Sequence, residues 1–340
     1  MLHLVREVTD DAAIEGFIDQ PRKIKLVRDL PDKIFRGVAS AGGVTVLLIM
    51  LLVGTFLALK AAPALHQAGF KFFTTQAWNP DSKHFGVAAV LVGTILIALV
   101  AVVVAVPLST CTALYITEYA PRRMKTVFIG VIDLMAAIPS IVYGLWGFFF
   151  LQAKLASVSA WIAQHFGWIP IFHVSGVNSH TAISSYTLFT SSTLIAGLVV
   201  GMMITPVITS IMREVFSQVP MGEREGALGL GATKAGVIRT VVLPFGRGGM
   251  IGGTMLGLGR ALGETIAVYL IISPVFTIQP HILQSGAISV SSLIALQFAE
   301  ANSFGLSALM AAGLTLFLMT LVINFAASSV VARSRSGASS

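Results

Sequence analysis

The 340-residue chain is 55% hydrophobic and only 11% charged, with a mean hydropathy of +0.86. Soluble domains carry about 25% charged residues, so this composition excludes an ordinary soluble domain and indicates an integral membrane protein. The net charge of +7 does not indicate a nucleic-acid binder, because the basic residues flank apolar runs instead of clustering on a polar domain.

Residues 1–36 mix both charge signs and are expected to form a cytoplasmic arm or an interfacial helix. They do not resemble a cleavable signal peptide, since the first apolar run starts only after about 35 residues. An apolar run of about 20 residues crosses a bilayer as a helix. Six such runs follow, at 37–59, 86–116, 127–151, 188–211, 248–273 and 306–331, within a transmembrane domain expected at 37–332. Cys111, the one cysteine, lies in the second and reads as a packing residue, and its solitude excludes an intrachain disulfide. The seven histidines include no pair at metal-ligand spacing. Pro139, in DLMAAIPSIVYGLWGF, should bend the third span. Trp161, Phe166 and Trp168 in the outer loop 152–187 suit an aromatic interface anchor. Residues 333–340 read as a short cytoplasmic tail.

Lys and Arg accumulate on the cytoplasmic side of membrane proteins. With the N-terminus inside, 17 of the 22 fall on that side; Lys60, Lys71, Lys83 and Lys154 lie outside, and Arg260 lies within the fifth span. Both termini and the loop 212–247 are therefore expected to be cytoplasmic.

Three ionisable residues fall inside the expected spans: Asp133, Arg260 and Glu264. A charge at the bilayer centre costs at least ~2.5–3.5 kcal/mol and usually faces a cavity or a partner. Arg260 and Glu264 are four residues apart, so a continuous helix would place them on one face. They read either as a self-neutralised pair locking two helices or as a cation lining a substrate path with a carboxylate beside it. Gly249, Gly253 and Gly257 form a small-residue stripe on nearly the same face, where helix backbones can approach closely. That would set the charged pair at a helix–helix or subunit seam. Asp133, near the inner end of its span, either pairs with a basic residue or lines the path.

The loop 212–247 carries EGALGLGATKAGVIRTVVLP, with the spacing E-x-A-x3-G-x9-V-x-L-P. Pro220 should begin a new element, and Glu225–Leu230 fits a short helix interrupted near Gly231. Thr233 is placed to cap a second helix. Leu243-Pro244 would end that helix or turn it into the fifth span. Glu225, Gly226, Ala227, Gly231, Val241, Leu243 and Pro244 together resemble the EAA loop of ABC importer permeases, which seats in a groove of the ATPase subunit. Gly226 replaces the Ala at the second position of that pattern and Val241 its Ile.

LGLGRALGETIAV (256–268), DLMAAIPSIVYGLWG and FFTTQAWNP extend the likeness to the permeases of phosphate importers, and to the PstC type over the PstA type. The resemblance implies an all-α protein with six transmembrane helices in the type I (MetI-like) ABC importer fold. It implies a PstA-like sister permease, a PstB-like ATPase dimer carrying ATP and Mg, and a PstS-like phosphate-binding protein outside. This chain would hold no cofactor, act as no enzyme and bind membrane lipid but no nucleic acid; it has no G-x4-GK-[ST] motif. Arg260 would offer donors to phosphate oxygens, and Glu264 would accept the P–OH proton that sulfate lacks. The loop pattern leaves a permease for another oxyanion or small solute open. An ion-coupled secondary transporter would leave the loop unexplained and calls for inverted repeats, which the sequence does not show.

Overall fold

The computed structural model describes residues 30–177 and 186–335, with the side chains at 327 and 330–335 left undescribed. The expected arm at 1–29 and tail at 336–340 lie outside the described residues. The chain divides into two compact units, Met1–Val53 and Gly54–Ser340. In the first, described residues 30–53 are helical and exposed throughout. Apolar side chains directed outward on every face suit a span that meets lipid or another protein.

Twelve α-helices occur among the described residues: α1 Leu30–Ala68, α2 Ala88–Leu114, α3 Arg122–Ala137, α4 Ser140–Trp146, α5 Gln152–Phe166, α6 Thr193–Ser217, α7 Met221–Gly229, α8 Lys234–Val237, α9 Leu243–Leu262, α10 Ile266–Ile271, α11 Val290–Gln297 and α12 Ser303–Arg335. A two-stranded antiparallel hairpin, β1 Trp78–Asn79 with β2 His84–Phe85, lies between α1 and α2. Single π-helical turns extend α2 through Tyr119, join α4 to α5, and join α8 to α9. Six stretches are long and apolar enough to cross a membrane: Leu30–Phe73, Ala88–Tyr119, Ser140–Phe166, Thr193–Ser217, Lys234–Leu262 and Ser303–Ala326.

The number of spans is as expected, but two are displaced. The third was expected at 127–151; instead α3 ends at Ala137 and the span runs over Ser140–Phe166. Ile138 is extended (φ −65°, ψ 128°) and Pro139 starts the next helix, as steric exclusion of the α conformation before proline dictates. Pro139 thus breaks the helix rather than bending it. The fifth span starts earlier than expected, at Lys234, within the segment 212–247 expected to be a loop. Cys111 also departs from its expected packing role: its side chain is exposed on α2.

The core of the second unit is built by α2, α6 and α9, which pack through small residues. A Cβ at Gly197 would lie 2.6 Å from the Val100 Cβ, and one at Gly201 would lie 3.0 Å from the Ala101 carbonyl. Only glycine permits that approach. Ser109 adds a hydrogen bond across the same seam, donating to the Thr205 carbonyl at 3.0 Å.

Candidate functional site

The loop between the fourth and fifth spans is a pair of short helices. Pro220 precedes α7, whose C-terminus is closed by the Leu230 N–H to the Gly226 carbonyl and the Ala232 N–H to the Ala227 carbonyl. Gly231 has φ +85°, a left-handed conformation that L side chains rarely adopt. Thr233 caps α8, its hydroxyl accepting from the Gly236 N–H at 3.1 Å. These features follow the expectations. Of the two alternatives at Leu243-Pro244, the helix does not end there but runs on into the fifth span, Lys234–Leu262. The π turn carries the Leu243 N–H to the Ile238 carbonyl, five residues back. This widening lets the chain pass Pro244, which lacks an N–H and crowds the preceding turn.

No residue of α7 is buried. Glu225 and Gly226 are exposed and Ala227 is half-buried, while Met221, Leu228 and Leu230 expose 66%, 50% and 91% of their surfaces. A Cβ at Gly226 or Gly229 would meet nothing within 4 Å. The chain's own packing therefore does not require small residues there, and they leave the exposed helix slim. Val241 and Leu243 are half-buried and hold the root of the loop against the core.

Arg224, which sequence patterning did not single out, fixes α7 in place. Its Nη1 lies 2.9 Å from Glu118 Oε1 and donates to Oε2 at 3.1 Å, and its Nη2 donates to the Phe216 carbonyl at 2.7 Å.

The intramembrane residues are arranged differently from the expected helical pair. Helix α9 ends at Leu262, and residues 263–265 are non-helical before α10. Arg260 and Glu264 therefore do not share a helical face, and no ion pair joins them among the described residues. Arg260 is exposed and lines a groove of about 490 Å³ with Val207, Gly252, Met255, Leu256, Gly259, Asn324 and Ser328. The groove lies between α6, α9 and α12. Arg260 is also within electrostatic reach of Tyr143 on α4. Glu264 is 8% exposed and serves the break itself. Its Oε1 accepts from the Ala267 N–H at 3.1 Å at the start of α10, and its carbonyl accepts from Ser291 Oγ at 2.6 Å. Ser291 belongs to α11, whose Val290 N–H donates to Thr94 Oγ1 of α2 at 3.0 Å. Glu264 is thus anchored to α10, α11 and, through them, α2.

The glycine stripe faces α6, beside the groove. A Cβ at Gly249 would lie 2.7 Å from the Val215 Cβ, one at Gly253 would lie 3.3 Å from Ile211 Cγ2, and one at Gly257 would lie 2.5 Å from Ile208 Cδ1. The stripe is an internal seam with α6, and the expected coincidence of stripe and charges is corrected: Arg260 occupies the open flank.

Asp133 is exposed on α3 rather than buried in the third span, and no basic residue pairs with it among the described residues. Its Oδ1 accepts a long 3.5 Å hydrogen bond from Ser210 Oγ of α6. Ser210 lies one turn from Val207, which lines the Arg260 groove. Asp133 and Arg260, distant in sequence, thus flank one side of α6, whereas Arg260 and Glu264, close in sequence, are separated.

Six apolar spans, a continuous fifth helix rooted in an unburied helix pair, and a cation lining an interhelical groove are the features of a transport permease. The chain belongs to the family of binding-protein-dependent transport system inner membrane components, whose pattern matches residues 105–336. It is similar to the phosphate transport system permease protein PstC 2 of Mycobacterium tuberculosis, with 39% identity over 88% of this chain and 91% of the relative. It is also similar to PstC of Pasteurella multocida, with 37% identity over 88% and 91% of the two chains. A chain of a bacterial alginate ABC transporter shares the fold at TM-score 0.58 and 15% identity, covering 89% of this chain and 97% of that one. The fold is that of type I ABC importer permeases.

Proposed function

We propose that this chain is the PstC-type permease of an ATP-driven phosphate importer. It would form the pathway with a PstA-like sister permease and receive phosphate from a PstS-like extracytoplasmic binding protein. A PstB-like ATPase dimer would meet the α7–α8 loop, with ATP and Mg held on that partner and no cofactor in this chain. Both termini would then lie on the cytoplasmic side, as the distribution of Lys and Arg supports. The observation that carries the substrate assignment is Arg260: a guanidinium in a membrane span, without an acidic partner among the described residues, facing a groove.

An unpaired cation in a span faces protein or an aqueous path, not lipid. Guanidinium presents a planar fork of donors that matches the oxygens of phosphate. Asn324 adds an amide from α12, and Ser328 adds a hydroxyl. Asp133 on the same flank of α6 supplies a negative charge near the groove, which limits how tightly an anion rests there and favours its release. Glu264 holds the helix break that leaves Arg260 at the end of α9. Ser, Thr or Asn could accept the α10 N–H without the penalty of a buried carboxylate. A buried carboxylate at this position therefore favours a charge-dependent role during transport, such as accepting the P–OH proton.

The test is uptake of labelled phosphate, with sulfate as competitor, in cells that carry this chain with its partners as their sole phosphate importer. Two charge-assisted hydrogen bonds are worth about 3–6 kcal/mol, so Arg260→Ala should slow uptake by roughly 10²–10⁴-fold. Arg260→Lys should recover part of the rate, because the charge remains while the fork is lost. Normal uptake by Arg260→Ala would refute the pathway assignment, and equal competition by sulfate would refute the phosphate assignment.

A further inference from the structure

The Glu118–Arg224 contact joins segments 106 residues apart, and both side chains are largely shielded, with 13% and 17% exposure. It ties the loop helix, which buries none of its own residues, to the π-helical end of the second span at Tyr115–Tyr119. A second tether converges on the neighbouring residue: Lys234 Nζ of α8 lies 5.8 Å from the centroid of the Tyr119 ring. Both helices of the loop thus reach consecutive residues of one turn. Arg224 also grips the carbonyl of Phe216, near the end of α6. The Phe216 side chain is fully buried against Gly246, where an added Cβ would lie 2.7 Å from Phe216 Cδ1. One guanidinium therefore gathers the loop and the inner ends of the second and fourth spans, the fourth of which packs on the fifth.

We propose that Glu118 is a positioning residue for energy coupling: through Arg224 it fastens the loop helix to the second and fourth spans, so that a push on the loop moves those spans together with the fifth. This rests on the importer reading of the loop. An α7 held only by its chain ends and Ala227 would rotate under load and transmit little. A shielded ion pair, gripped additionally by a backbone carbonyl, resists that rotation, because separating the pair leaves a desolvated charge without its partner.

The experiment uses the full chain assembled with its sister permease and ATPase in proteoliposomes, and measures phosphate moved per ATP hydrolysed. Glu118→Gln and Arg224→Gln should each lower that ratio about fivefold or more, the lower end of typical coupling effects, without reducing the amount of ATPase bound. The exchanged pair Glu118→Arg with Arg224→Glu should regain much of the ratio. Chymotryptic cleavage beside the exposed Leu230, measured on the full chain in membranes, should be faster in both single variants. Single variants with the wild-type ratio would overturn the proposal, and so would a defect confined to ATPase binding. The cleavage measurement requires neither phosphate nor ATPase. A wild-type chain that moves no phosphate would fail the importer reading alone, while unchanged cleavage of Glu118→Gln would overturn the tether.

Discussion

Substituting Ala at Gly249 and, separately, at Gly252 compares two faces of one helix three residues apart. At Gly249 the new Cβ would sit 2.7 Å from both Cβ and Cγ1 of Val215, whereas at Gly252 it would meet nothing within 4 Å. Ordinary carbon contacts are about 3.5–4.0 Å, so α9 and α6 would have to separate by roughly 1 Å at Gly249. Val215 cannot swing clear, because its Cβ is fixed to the α6 backbone. Overpacking of this kind costs about 1–3 kcal/mol. Ala also gains up to ~1 kcal/mol of helix propensity over Gly, but this applies at both positions and cancels in the comparison. Gly249→Ala should therefore be less stable than Gly252→Ala by about 1–3 kcal/mol, or roughly 1–4 °C in apparent melting temperature for a chain of this size. The assay is gel filtration of the fluorescently tagged, detergent-solubilised chain after heating. A Gly249→Ala chain as heat-stable as Gly252→Ala would refute the close α6–α9 seam.

Other substitutions separate the roles assigned above. Gly231→Ala should cost about 1–2 kcal/mol locally for its left-handed backbone and weaken recovery of the ATPase in pulldowns. Gly226→Ala, which enters open space, should leave recovery unchanged. Glu264→Gln should retain the wild-type melting temperature, since the Gln oxygen can accept the Ala267 N–H, yet lose phosphate uptake; retained uptake would reduce Glu264 to a helix cap. Asn324→Leu should lower uptake with unchanged stability, as measured by the same two assays, because its amide lies in the Arg260 groove and not in the core.

The sequence was most informative where local rules govern. The six spans follow from apolar length, and the caps at Thr233 and Gly231 from the chemistry of hydroxyl caps and left-handed glycine. It misled where a hydropathy window ran across a local breaker. Ile138-Pro139 carried the signal that α3 must end, since a residue before proline is driven out of the α conformation. In RALGET, Gly263 followed by Glu264 and Thr265 had the character of a helix stop and a new start, yet the i, i+4 rule was applied across it. Glu118 and Arg224 lie beyond any spacing rule, because only the approach of the second and fourth spans brings them together. Asp133 reached the flank of the Arg260 groove for the same reason.

Helix α9 holds seven glycines among its 20 residues and would be a poor lever in isolation, since glycine is the most flexible helical residue apart from proline's outright breakage. Four of the seven, however, are pressed against Ile208, Ile211, Val215 and Phe216 of α6. Stiffness is borrowed from that seam, so the moving body would be α6 and α9 together, with the loop fastened to them at Phe216 by Arg224. The body ends at the break after Leu262. Arg260 is its last charged residue, while Glu264 is held by α10 and α11 on the other side of the break. From Lys234 to Arg260 the helix spans about 39 Å at 1.5 Å per residue, so a tilt of about 10° at the loop would displace Arg260 by roughly 7 Å. On the proposed importer reading, a displacement of that size would carry the guanidinium past a bound phosphate while Glu264 stays in place. On that reading, the break between the two residues is where motion of the loop would become relative motion at the substrate path.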